Sequence, residues 1–167
     1  MITMEERKNC IEEFGDMVFT GFSSVGSFKE SSALRQIPDV SGVYLVLRVS
    51  DEAPVFIESG TGGFFKGRNP NVPLCKLEAD WVEDTTVLYV GKATSLRKRL
   101  GQYIRFGQGK PVGHWGGRYI WQLADSGNLL LCWKTTKKEE DPDALETELI
   151  NRFRSCHGCR PFANLAK

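Results

Sequence analysis

The pattern of apolar and polar positions along the chain predicts a small sheet covered by helices. Residues 43–49 (VYLVLRV) are apolar and β-branched almost throughout, which is typical of a centrally buried strand. A second apolar run at 87–90 (VLYV) predicts another strand. Residues 119–123 and 129–134 flank the polar sequence Asp-Ser-Gly-Asn, so together they predict a β-hairpin.

Three segments of the chain predict helices. Ser95 is a favourable N-cap for one helix, and Asp141 with Pro142 can begin a later one. Residues 4–14 predict a short polar helix. This order of elements indicates an α+β domain whose small mixed or antiparallel sheet has about three central strands flanked by helices. The apolar positions of the two later helices recur at helical spacing. They are Leu96, Leu100, Tyr103, Ile104, Leu145, Leu149 and Phe153.

The chain divides by composition into an extension, a domain and an insert. We expect residues 1–37 to form an extension of helix, strand and loop that packs on a domain at 38–167. Residues 50–86 interrupt that domain with a Gly- and Pro-rich segment, within which 55–57 predicts a short strand. An irregular segment of this length is usually functional or mobile.

Several functional classes are disfavoured by the sequence. No apolar run reaches the ~18–20 residues of a membrane span, and the N-terminus lacks the apolar core of a secretory signal. Five cysteines, an odd number, favour a reducing cytoplasm. Cys156 and Cys159 supply only two potential zinc ligands, so we expect no zinc site. The segment GTGGFFKGR lacks the ending of a phosphate-binding loop, so no nucleotide cofactor is expected.

Charge is distributed unevenly although the net charge is only +1. Between Tyr89 and Tyr119 there is no Asp or Glu, and aromatic residues alternate with basic ones. Such a tract suits phosphate neutralisation and base stacking. The alternative is a solvated basic helix face on which the arginine and lysine are ordinary surface residues. The candidates for nucleic-acid binding are Arg97, Lys98, Arg105, Lys110 and Arg118 in the tract, and Lys66 and Arg68 in the insert.

Two tripeptides, Gly42-Val43-Tyr44 and Tyr89-Val90-Gly91, resemble the motifs that name the GIY-YIG nuclease superfamily. The second continues as YVGKATSLRKRLGQY, which is similar to the N-terminal nuclease domain of bacterial nucleotide-excision-repair endonucleases. The resemblance implies the GIY-YIG fold and divalent-metal-dependent hydrolysis of DNA. The long insert is the chief departure, because compact members join the two strands by a tight hairpin.

The resemblance also implies roles for particular side chains. Arg99, ten positions after the second tyrosine, would act on phosphate. Glu146, in ETELI, would hold Mg²⁺ or Mn²⁺, and Asn164, in RPFANL, would close the site. One of Tyr44 and Tyr89 would receive a proton from the attacking water. Taken singly, each tyrosine is more often a core aromatic, and Asn164 could be a turn residue.

Elementary chemistry adds three expectations. A phenol is a poor base unless a cation lowers its pKa, and Lys92 together with the metal could do this. His114 could carry a proton or could be a loop residue. At 100° per residue Glu146 falls within the apolar arc of the last helix, and Glu148 falls outside it. A carboxylate turned toward a core must be ligated or paired, and the alternative to a metal is a pair with Arg99.

These observations predict a metal-dependent DNA endonuclease, with RNA as a further substrate to test. The rival from another class is a nucleic-acid-binding module that keeps the scaffold without turnover. A third possibility is a toxin cargo, for which no export mark is visible.

Overall fold

Four antiparallel strands form one sheet in the computed structural model, which describes residues 3–166. The strands are β1 (Thr20–Ser24), β2 (Gly42–Leu47), β3 (Val87–Ala93) and β4 (Leu130–Thr135), in the spatial order β1-β4-β2-β3. The α+β prediction is therefore confirmed, with four strands where about three were expected and with every pairing antiparallel.

The central position of β2 in the sheet explains its apolar composition. All six of its residues are buried, and it pairs with β3 on one side and β4 on the other. The register brings the two tripeptides together, since Tyr44 lies opposite Gly91 on β3. A shift in the register at the end of the β2–β3 pair marks an irregularity of β3 around Leu88. Leu88 and Tyr89 consequently both pack in the same core cluster.

The helices are α1 (Met4–Asn9), α2 (Leu74–Asp80), α3 (Leu96–Gly107) and α4 (Pro142–His157). The N-caps predicted for the last two are present, because Ser95 accepts from the amide of Lys98 and Asp141 from that of Asp143. A left-handed Gly158 ends α4. Short 3₁₀ helices occupy 12–14, 25–28, 31–36, 65–67, 115–122 and 126–128.

Each face of the sheet packs against one of the two long helices. Tyr44 and Val46 belong to the core cluster that contains the apolar side of α3. The alternate β2 residues Val43, Leu45 and Leu47 pack with the apolar side of α4. Period-2 alternation on β2 therefore assigns Tyr44 to the α3 side of the sheet.

The predicted helix at 4–14 is too long, since α1 ends at Asn9 and 12–14 is a separate 3₁₀ turn. The strand expected in the extension is β1, which pairs with β4 at the edge of the sheet. The division of the chain at residue 38 stays a prediction. Within residues 3–166, no helix combines the length and the apolarity required to cross a membrane.

The predicted hairpin is wrong. Residues 115–122 form a 3₁₀ helix, and β4 pairs with β1 and β2 instead. Ile120 and Trp121 are apolar because this helix packs in the core, where the Trp121 ring lies against Gly107 of α3. Tertiary packing thus overrides the strand propensity of this segment. The strand expected at 55–57 is reduced to a single bridge between Phe56 and Leu123.

Candidate active site

A cleft of about 690 Å³ opens where β2, β3, α3, α4 and the C-terminal segment meet. The six catalytic candidates named from the sequence, His114 apart, all line it. They are Tyr44, Tyr89, Lys92, Arg99, Glu146 and Asn164. Two further carboxylates, those of Asp141 and Asp143, lie at the same cleft.

The two tyrosine rings pack against each other with centroids 5.9 Å apart. Tyr44 is fully buried, whereas Tyr89 is 8% exposed. A glycine makes this packing possible, because a Cβ on Gly91 would lie 2.3 Å from Cζ of Tyr44. At Gly42 a Cβ would lie 2.3 Å from the carbonyl oxygen of Lys134 on β4. The glycine of each tripeptide is therefore required by close approach of a neighbouring group.

His114 lies behind Tyr44, and its Nε2 is 2.8 Å from the phenolic oxygen. The imidazole is fully buried, and a Cβ on Gly117 would crowd the ring at 2.9 Å. Burial, followed by the positive charge of Arg99, lowers the pKa of His114 to about 3. The ring is consequently neutral near pH 7, so Nε2 can accept the hydroxyl proton of Tyr44 in a hydrogen bond.

Both phenols are neutral as well. Burial raises the pKa of Tyr44 well above 10 and also raises that of Tyr89, and the opposing influence of Arg99 is smaller. The expectation that Lys92 together with a metal lowers a phenol pKa stays a prediction. Lys92 pairs with the carboxylate of Asp143, and this pair is half-exposed at the cleft.

Arg99 projects from the first turn of α3 into the cleft. Its Nη1 donates to the carbonyl oxygen of Gly113 at 2.7 Å and to Oε1 of Gln102 at 3.0 Å. These two bonds fix the guanidinium plane at the cleft wall. A planar fork held in this way is suited to bidentate contact with a phosphate.

Glu146 is the buried carboxylate of α4, with 8% exposure. Glu148 is exposed and pairs with Arg152 one turn later at 2.8 Å. The helical register predicted for these two carboxylates is therefore correct. Among the described residues, no group of three or more His, Cys, Asp or Glu side chains could hold a metal ion. Protein ligation of an ion would then rest on one or two carboxylates, with water completing the shell, as is usual for Mg²⁺.

Asn164 fastens the C-terminal segment to the free edge of β3. Its Oδ1 accepts from the amide of Val90, and its Nδ2 donates to the carbonyl oxygen of the same residue, both at 2.9 Å. The neighbouring amide of Ala163 donates to Leu88 at 2.9 Å. This side chain thereby completes the hydrogen bonding of the strand between Tyr89 and Gly91.

Residues 81–159 match the family described as the GIY-YIG catalytic domain. This match supports the assignment to the GIY-YIG nuclease superfamily. The matched GIY-YIG segment contains Tyr89, Lys92, Arg99 and Glu146, whereas Tyr44 and its tripeptide lie outside it. No curated protein and no solved structure matches the chain.

The GIY-YIG family is one of nucleases, so the match indicates nuclease activity at the level of the family, with nucleic acid as the substrate class. The basic residues that are predicted to bind nucleic acid lie in different parts of the structure. Lys98 lies at the cleft, and Arg105 and Lys110 are exposed. Arg97 instead donates from Nε to the carbonyl oxygen of Ile37 at 2.8 Å, so it joins α3 to the segment that precedes β2. Arg68, Lys66 and Arg118 lie where the insert meets residues 113–118.

Sequence reasoning missed several residues of the GIY-YIG cleft. Asp143 precedes Glu146 by three positions on one helix and so shares its face, a spacing that could have revealed it. Asp141 lines the cleft in addition to its predicted role as an N-cap. Gln102 and Gly116 also line the cleft, and no signal in a single sequence would have selected them.

Proposed function

We propose that this GIY-YIG nuclease is a divalent-metal-dependent endonuclease that hydrolyses phosphodiester bonds of DNA in the cleft described above. The proposal rests on one observation, which is that reactive side chains of different chemistry meet at the same cleft. A fixed guanidinium, a buried carboxylate and two phenols from different elements surround one open space of about 690 Å³. Phosphodiester hydrolysis needs charge neutralisation and an activated water, and these groups can supply both.

Arg99 would bind the scissile phosphate. Its bonds to Gly113 and Gln102 hold the guanidinium in place before substrate arrives. A preorganised donor loses little conformational entropy on binding and stabilises the charge that develops on the phosphate oxygens. Lys98, exposed at the same cleft, would add a second positive charge.

The donor set of the cleft fits a hard divalent cation. Glu146 would hold the ion, with Asp143 near it on the same helix. A bound ion of this kind neutralises phosphate charge and lowers the pKa of a water molecule. Oxygen donors and open space for retained water suit Mg²⁺ or Mn²⁺ better than zinc.

Tyr44 would orient the attacking water. In the neutral tautomer of His114 that carries its proton on Nδ1, Nε2 would accept the phenolic proton of Tyr44 and hold it away from the cleft. The lone pairs of the phenolic oxygen can then accept a hydrogen bond from the water. His114 acts in this scheme as a positioning residue for Tyr44, which replaces the role of proton carrier that the sequence allowed.

A cytoplasmic location forms part of the proposal. All five thiols are free, and three of them, Cys75, Cys156 and Cys159, are exposed. Exposed free thiols persist in a reducing compartment.

The test compares two carboxylates two residues apart. Glu146→Gln should abolish metal-dependent nicking of plasmid DNA and keep DNA binding, because Arg99 and the lysines remain. Glu148→Gln should retain wild-type nicking, since its exposed i,i+4 pair is worth only ~0.3–0.5 kcal/mol. The substrates are plasmid, single-stranded DNA and RNA, each with Mg²⁺, Mn²⁺ or chelator.

Equal nicking by the two variants would remove Glu146 from the mechanism. DNA binding without nicking in any metal would support the binding-module alternative instead. Cleavage of RNA alone would overturn the choice of DNA.

A further inference from the structure

The insert is fastened to the domain by a buried glutamine. Gln122 is 1% exposed, and its Oε1 accepts from the amide of Val72 at 2.9 Å. Its Nε2 donates to the carbonyl oxygens of Val72 at 3.0 Å and Ile57 at 3.2 Å. One amide thus holds two distant points of the insert in a fixed place.

A second attachment brings the middle of the insert against α3 and the loop after it. The amide of Gly63 donates to the carbonyl oxygen of Phe106 at 2.9 Å. A Cβ on Gly63 would lie 1.9 Å from the carbonyl oxygen of Lys110, so only glycine permits this approach. The ring of Phe65 then reaches Gly113. These contacts make the insert a packed elaboration of the domain.

The seam between the insert and the domain holds two arginines on one indole. The guanidinium carbons of Arg68 and Arg118 lie 4.5 and 4.7 Å from the centroid of the Trp115 ring. Residues 59–77 and 90–124, which supply the seam, contain no Asp or Glu. Burial lowers the pKa of Arg118, and the nearby charge of Arg68 lowers it further. A phosphate bound by either guanidinium would offset their repulsion.

The seam adjoins the catalytic cleft. Trp115 is followed directly by Gly116, which lines the cleft and whose Cβ position is 4.0 Å from the hydroxyl of Tyr89. Consecutive Cα atoms are about 3.8 Å apart, and a DNA strand advances about 3.4 Å per nucleotide. Arg118 itself lines a neighbouring cavity that shares Asn164 and Leu165 with the cleft, so the seam lies beside the catalytic groups.

An exposed aromatic ring completes the surface. Phe64 is 52% exposed, although its neighbour Phe65 packs on the core. It precedes a tight turn in which Lys66 adopts the left-handed φ of 53°. An exposed ring near basic side chains is the usual platform for stacking an unpaired base. In a fully paired duplex every base is already stacked on its neighbours, so the Phe64 ring would contribute less to the binding of a duplex.

We propose that Phe64, Lys66, Arg68, Trp115 and Arg118, named here the seam surface, bind an unpaired nucleotide of DNA beside the scissile phosphate. The seam surface would direct cleavage to junctions between paired and unpaired DNA. The inference rests on the proposed function, because it assigns a substrate structure to the same cleft.

The test measures binding and cleavage separately. Binding is measured in the Glu146→Gln background with a single strand, a duplex and a duplex carrying an unpaired flap. Phe64→Ala should weaken binding of the single strand and the flap by about 5- to 150-fold and change duplex binding little. Arg68→Ala should weaken all three and reduce the log–log salt dependence by about one phosphate contact. With Glu146 intact, wild type should cut the flap substrate faster than the duplex, and Phe64→Ala should remove this preference.

Matched controls come from the N-terminal part of the chain, which lines a different cavity. Lys8→Ala and Val18→Ala remove an exposed charge and an exposed apolar side chain and should change neither binding nor cleavage. Equal effects of Phe64→Ala on duplex and single strand would overturn the unpaired-base assignment, even if nicking persists. Absence of nicking by wild type on every substrate would contradict the proposed function, whereas selective binding would still support the seam surface.

Discussion

Replacing Gly91 by alanine should reduce the nicking activity, because the new side chain would displace the ring of Tyr44. The new Cβ would lie 2.3 Å from Cζ and 2.5 Å from the hydroxyl oxygen of Tyr44. Ordinary contact begins near 3.4 Å, so the ring must move by roughly 1 Å, and a shift of that size can cost about 100-fold in rate. Overpacking in a core adds about 1–3 kcal/mol of destabilisation.

The assay combines plasmid nicking, DNA binding and thermal melting. Gly91→Ala should nick about 100-fold more slowly, bind DNA as wild type does because Arg99 stays in place, and melt a few degrees lower. Gly127→Ala is the matched control, since a Cβ there meets nothing within 4 Å. Tyr44→Phe keeps the ring without its hydroxyl, so it should also lose nicking.

Wild-type nicking by Gly91→Ala would refute the argument that Tyr44 must occupy its observed position. An equal loss in Gly127→Ala would show that the assay reports general damage. If Gly91→Ala does not fold, Tyr44→Phe decides the point: full activity in that variant excludes the phenol from the mechanism.

Two further predictions concern groups around the same ring. The pKa of His114 is about 3 in the folded protein and ~6.5 in the unfolded chain. Between these values only the unfolded chain takes up the proton, so stability falls as pH falls through this window, by at most about 1.4 kcal/mol per pH unit. Melting from pH 7 to 4 should show a smaller slope for His114→Gln than for the control His157→Gln, and equal slopes would contradict the burial argument. Asn164→Ala leaves the amide and the carbonyl of Val90 unpaired, so it should cost about 1–3 kcal/mol in urea unfolding; an unchanged midpoint would show that the segment is held by other contacts.

The sequence predicted the parts of the site that rest on local rules. Glu146 and Glu148 were separated by helical geometry alone, and the caps at Ser95 and Asp141 follow from short-range hydrogen bonding. The two tripeptides indicate the family, which the match at residues 81–159 supports. The two tripeptides lie side by side because β2 pairs with β3.

What the sequence could not predict depends on long-range packing. Residues 119–123 have strand-like composition, yet Trp121 is held against Gly107 and Gln122 is bonded to the insert. Neither partner is near in sequence, so no local pattern reveals them. The buried position of His114 has the same origin, because its hydrogen-bond partner Tyr44 lies 70 residues away.

The order of strands has a consequence for how the chain is made. The central strand β2 pairs with β4, which emerges from the ribosome more than 80 residues later. Until then one apolar edge of β2 has no partner, and such edges invite association between nascent chains. Synthesis that stalls inside the insert or α3 should therefore yield an aggregating fragment. Contacts this distant in sequence also slow folding, because a long loop must close before the two strands can pair.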